Sequence, residues 1–111
     1  MSKLLAALVM GIAVLALGMQ SAQSAAAAPT VHMTDFSFKP ADLSVQTGQT
    51  VVFQNDDDVP HNVTADAFKS GDVNGGKSWK YTFTKAGTYA YVCTYHPGMK
   101  GSITVTDAPS Q

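Results

Sequence analysis

Trp79-Lys80-Tyr81-Thr82-Phe83-Thr84 sends aromatic side chains to one face and polar ones to the other, the period-two alternation of a half-buried β-strand. A turn marked by Ala86-Gly87 follows. Beyond it Tyr89, Tyr91 and Cys93 share a face, so this second strand delivers a thiol at its end. Ile103 and Val105 alternate with Thr104 and Thr106 in a last strand. From Val31 onward no sustained helical period occurs. Thr47-Gly48-Gln49 marks another turn, and Phe68 to Ser78, with Gly71, Gly75 and Gly76, reads as a polar connection. Short strands separated by Gly-, Pro- and Asp-bearing turns predict an all-β, two-sheet antiparallel sandwich. Trp79, Tyr81 and Phe83 are expected in its core.

The thiol in question belongs to the chain's single cysteine, and it opens Cys93-Thr94-Tyr95-His96-Pro97-Gly98-Met99. Thiolate, imidazole and thioether follow one another at three-residue intervals. Taken singly, each has an ordinary packing explanation. Grouped in one short loop beside Pro and Gly they point to metal binding, because loops lie at the surface and carry function. Soft sulfur with imidazole selects copper, and two His, one Cys and a weak axial Met form the donor set of blue-copper electron-transfer sites. The loop lacks one imidazole. His61, after Pro60 and before Asn62-Val63, can supply it, whereas His32 has no sulfur neighbour in the chain.

These segments resemble the cupredoxins, small type 1 blue copper proteins, and are most similar to amicyanin- and plastocyanin-like members. The resemblance is carried by the metal loop and by Pro60-His61-Asn62-Val63. Phe38-Lys39-Pro40, Gly48-Gln49-Thr50-Val51, Asn55 and Phe83-Thr84-Lys85-Ala86-Gly87-Thr88-Tyr89 extend it. It implies a Greek-key β-sandwich, one copper ion cycling between Cu(II) and Cu(I), equatorial ligands His61, Cys93 and His96, and Met99 as axial ligand. It also implies that Asn55 ties the His61 segment to Thr94 in the metal loop. Tyr95 stands where amicyanins and plastocyanins usually have proline, so it carries a backbone N–H. That N–H is expected to reach the sulfur. Gly98, where amicyanin has a bulky aromatic, and Val92, where plastocyanin has tyrosine, separate the chain from both.

The first two dozen residues are of another kind. Lys3 precedes the apolar run Leu4 to Leu17, and small residues continue to Ala28. This is the pattern of a secretory signal peptide, with a core short of the roughly 20 residues of a membrane span. The expected organisation is a signal peptide over 1–26, cleaved near Ala26 or Ala27, and one domain over 27–111. Export to the periplasm follows, with no integral membrane span in the mature chain. An unpaired cysteine is an oxidation risk in such a compartment unless a metal occupies it.

Seven basic residues, all Lys, and eight acidic ones, all Asp, leave a net charge of −1 with no basic patch, so nucleic acid is not an expected partner. Asp56-Asp57-Asp58 is either a solvated turn or a steering patch for a basic partner. The expected activity is one-electron transfer by a monomer between a redox donor and an acceptor. Three other classes fit the residues less well. A Cys93–His96 nucleophilic pair lacks a third group. A copper carrier or storage protein would use the same ligands but usually shows more Met and His, and the same set could also hold zinc.

Overall fold

Alternation at Val31 and Met33, and again at Val51 and Phe53, turns one side of each strand inward. In the computed structural model of the chain those sides meet a second sheet. The structure describes residues 28–109; the expected signal peptide and its cleavage site lie outside them. Seven strands follow in order: β1 (Thr30–Thr34), β2 (Ser37–Lys39), β3 (Asp42–Gln46), β4 (Thr50–Asn55), β5 (Ser78–Thr82), β6 (Gly87–Cys93) and β7 (His96–Thr106). One sheet has the order β2-β1-β4-β5 and the other β3-β7-β6. The core between them includes Val31, Met33, Val51 and Phe53 from the first and Tyr91, Cys93, Ile103 and Val105 from the second.

The antiparallel expectation needs correction. β1 runs parallel to β4 and β3 parallel to β7, while β1–β2, β4–β5 and β6–β7 are antiparallel. Alternation reports the face a side chain takes and carries no information about a neighbour's direction. Parallel neighbours need a long connection. Here β2 and β3 supply it between β1 and β4, β3 lying in the opposite sheet.

The Phe68–Ser78 connection is also more than polar. Phe68 and Val73 are buried, and the Phe68 ring lies 4.7 Å from Tyr81 and 5.7 Å from Phe83. Phe83 is buried as expected, and Trp79 and Tyr81 pack partly buried against the core.

In the β6–β7 ladder Tyr91 faces Gly101, and its ring lies across the glycine. A Cβ there would fall 2.5 Å from the Tyr91 oxygen and 2.6 Å from Cζ. Tyr91 is 2% exposed and cannot yield. Its hydroxyl has no hydrogen-bond partner among the described residues. Burial, then the charge of Asp42, pushes the phenol above its ordinary range. The folded state therefore keeps a proton that the unfolded chain loses above about pH 10, and stability falls as pH rises beyond that point.

Two outcomes are expected in denaturant melts. Gly101→Ala lowers stability by about 1–3 kcal/mol through overpacking. Tyr91→Phe removes an unpartnered buried hydroxyl, so it costs less than the about 1–3 kcal/mol of orphaning such a group, and it flattens the loss of stability above pH 10.

Candidate metal centre

The spacing Cys-x-x-His acquires a structural meaning at the end of β6. Cys93 pairs with His96 across the β6–β7 ladder, and Thr94 and Tyr95 are the whole connection. Directly opposed residues in an antiparallel pair project from the same face with Cβ atoms about 5 Å apart. The loop is thus a two-residue hairpin turn that aims thiol and imidazole the same way. A register shift between Val92 and Cys93 accompanies it, as bulges commonly re-aim side chains next to functional sites.

His61 arrives from the opposite side. After β4 the chain turns through Asp56 to Pro60, and His61 exchanges backbone hydrogen bonds with Val73, 3.1 and 2.8 Å long. Both His61 and Cys93 are 0% exposed. The Cys93 Sγ lies 3.8 Å from His61 Nδ1 and 3.7 Å from His96 Nδ1, and His61, Cys93 and His96 form a cluster able to hold a metal ion. A first-row ion about 2.3 Å from thiolate and about 2.0 Å from imidazole, with about 120° between them, would set sulfur and nitrogen about 3.7 Å apart. The donor set fits a trigonal ion. Met99 is buried near the start of β7, three residues past His96.

The expected tie between Asn55 and Thr94 is corrected. Asn55 Nδ2 donates to the carbonyls of Val59 and Val73 at 2.8 and 2.9 Å, and its Oδ1 accepts from the Asp57 N–H. It closes the turn that leads to His61 and makes no bond to Thr94. The tie is Asn62. Its Nδ2 donates to Thr94 Oγ1 at 2.8 Å, and its Oδ1 accepts from the Thr94 N–H at 3.1 Å and from Thr64 Oγ1 at 2.7 Å. Asn62 stands next to His61, which puts its side chain within reach of the residue after Cys93. Asn55, at the end of β4, faces the 73–77 segment instead.

The sulfur's backbone donor is likewise Asn62, whose N–H points to Sγ at 3.4 Å. This replaces the expected Tyr95 N–H. Tyr95 is half exposed; its hydroxyl donates to Asp72 and draws the residue outward. The hydrogen bond to Asp72 raises the Tyr95 phenol above its ordinary range.

Sequence reasoning passed over Asp57. Its Oδ2 lies 2.9 Å from His61 Nε2, the ring nitrogen away from the sulfur. A histidine ligand is normally oriented by such a bond at its other nitrogen. Partial burial pushes the Asp57 carboxyl up, but hydrogen bonds from His61 and from the Phe36 and Asp35 N–H groups bring it below its ordinary value. Asp56 pairs with His32 at 2.8 Å. The acidic run is therefore largely committed to internal bonds.

The sequence pattern of the cupredoxin-like domain family matches residues 7–105. The chain belongs to that family. Amicyanin-alpha of Methylorubrum extorquens is 34% identical to this cupredoxin over 98 residues, 78% of this chain and 80% of the relative. Plastocyanin of Physcomitrium patens is 37% identical over 84 residues, 62% of this chain and 50% of the relative. Among solved structures, a Cu(I) form of an amicyanin variant superposes with a TM-score of 0.68 at 33% identity, over 77% of this chain and 88% of that one. The cupredoxin is closely related to amicyanin- and plastocyanin-type blue copper proteins. This kinship and the His61, Cys93, His96 cluster support a copper-binding protein of the electron-transfer type rather than an enzyme.

Removing the Asn62 side chain is expected to test the cross-link directly. Asn62→Ala should lower stability by about 1–3 kcal/mol, since it strands the Thr94 N–H. In a double-mutant cycle with Thr94→Ala, the coupling read from denaturant midpoints should exceed about 0.5 kcal/mol; the same cycle run with Asn55 in place of Asn62 should show none.

Proposed function

We propose that this cupredoxin is an exported, periplasmic one-electron carrier with a mononuclear type 1 copper site, His61, Cys93 and His96 being equatorial ligands and Met99 the axial one. The observation that carries the reading is the triangle of one thiol sulfur and two Nδ1 atoms, with sulfur to nitrogen distances of 3.8 and 3.7 Å. Copper, when bound, supplies a Cu(II)/Cu(I) couple, and a thiolate, two imidazoles and a distant thioether suit both oxidation states imperfectly.

The chain's part is to hold these donors still. Asp57 fixes the tilt of the His61 ring through Nε2. Asn62 binds the two ligand-bearing segments together and donates its N–H to the sulfur. Such a bond withdraws electron density from the thiolate and tunes its donation. The strand pairing of Cys93 with His96 fixes the remaining separation. Donors held this firmly have little to rearrange when the charge changes.

Access supports the same reading. Cys93 is fully buried, so it is badly placed to attack a substrate, while His96 is half-buried at the surface. Phe36, Val59 and Tyr95 are the exposed large hydrophobic residues among those described. They lie on the ligand-bearing turns or beside them, where a redox donor and acceptor would dock briefly over a small interface. The leader expected over 1–26 is what supports export. Among the described residues no helix is long and apolar enough to cross a membrane.

Copper loading decides the reading. The oxidised protein should be intensely blue, Cys93→Ser should abolish the colour, and Met99→Leu should keep most of it while raising the reduction potential. A Cys93→Ser protein that stayed blue would refute the ligand assignment. Electron self-exchange measured by NMR line broadening separates transfer from storage: a carrier exchanges electrons far faster than it yields copper to a chelator.

A further inference from the structure

The turn between β1 and β2 contains only Asp35 and Phe36, and both have positive φ, 53° and 56°. A two-residue hairpin turn of this hand favours Asn-Gly or Asp-Gly, because its second position suits a residue without a side chain. Asp35 meets the preference and Phe36 violates it. A bulky residue in the left-handed region is an outlier, and strain of this kind gathers at functional sites.

What the turn gains is the placement of one ring. The Phe36 centroid lies 4.8 Å from that of His96 and 5.4 Å from that of His61, with interplanar angles of 80° and 82°. The imidazoles are 5.2 Å apart at 74°. The three rings form a closed edge-to-face triangle. Phe36 is nevertheless 51% exposed, so burial of its own surface is a weak reason for the strained backbone. The turn is held by Asp57, whose carboxylate accepts the Asp35 N–H at 2.9 Å and the Phe36 N–H at 3.0 Å. One carboxylate thus grips the turn and His61 together.

The two histidines are oriented differently. A hydrogen bond fixes His61, whereas His96 is bounded by rings: Phe36, His61 and, at 6.5 Å, Tyr95. We infer that Phe36 is a positioning residue of the metal centre, a brace that holds the His96 imidazole in its donor orientation by edge-to-face packing where His61 relies on a carboxylate. The inference rests on the metal-centre reading given above.

Phe36→Gly tests it without endangering the fold, because glycine relieves the turn. Its melting temperature should equal or exceed that of the parent. In the metal-free protein, NMR should show the His96 ring losing its fixed orientation and its contacts with His61. With zinc(II) as probe, release to a chelator should accelerate by about 10-fold or more, the scale on which outer partners of a ligand act. Phe36→Tyr should restore both. A Phe36→Gly protein whose His96 ring stays ordered and whose zinc release matches the parent overturns the brace. A parent protein that retains neither zinc nor copper overturns the metal-centre reading instead, and ring order in the metal-free protein still decides the brace.

Discussion

Opposition of Cys93 and His96 across the first rung of the β6–β7 ladder is the constraint on which the rest of the site depends. Strand pairing sets their separation, and the core behind β7 holds the rung in place through Met99, Ile103 and Val105. The site is thereby an extension of the sheet. Everything else that converges on it, His61 and its supports, is adjusted to that pair.

Bringing His61 to the pair means joining two segments distant in the sequence, and the join is made by a backbone bridge between Thr64 and Val92 and by polar groups next to the candidate ligands. Asn62 spends its amide on Thr94 and Thr64 and its N–H on the sulfur. Asn55 and Asp57 shape the approach. Inside a protein these bonds are stronger than at the surface, and losing one partner strands the other. The geometry of the donor cluster and the stability of this end are accordingly coupled, and variants that disturb the first should register in the second.

The strands and the His61, Cys93, His96 cluster were legible because each leaves a local mark: alternation for a strand, donor chemistry at fixed intervals for the cluster. What was not legible depends on pairing across distance. Strand direction leaves no trace in alternation, so β1–β4 and β3–β7 came out parallel against expectation. Asn55 and Asn62 are chemically equivalent candidates for the Thr94 tie, and only the path of the chain separates them. Tyr95 offered an N–H, but its hydroxyl found Asp72 and Asn62 reached the sulfur. Phe36 and Asp57 had no intrinsic signal, since a Phe in a turn and an Asp in an acidic run look like ordinary surface until the fold brings them to the imidazoles.

The run Asp56-Asp57-Asp58 reads as the part of the surface most open to neutral drift, yet its three neighbours have three different occupations. Asp56 pairs with His32, Asp57 anchors both His61 and the 35–36 turn, and Asp58 lies exposed. The backbone beneath is confined as well, since a Cβ on Gly75 would come within 2.6 Å of the Asp57 carbonyl oxygen. Selection should therefore see these positions unequally. Lineages descending from this chain would be free to trade charge at Asp58 and bound to keep the carboxylate of Asp57, so that an apparently repetitive acidic patch would diverge one residue at a time.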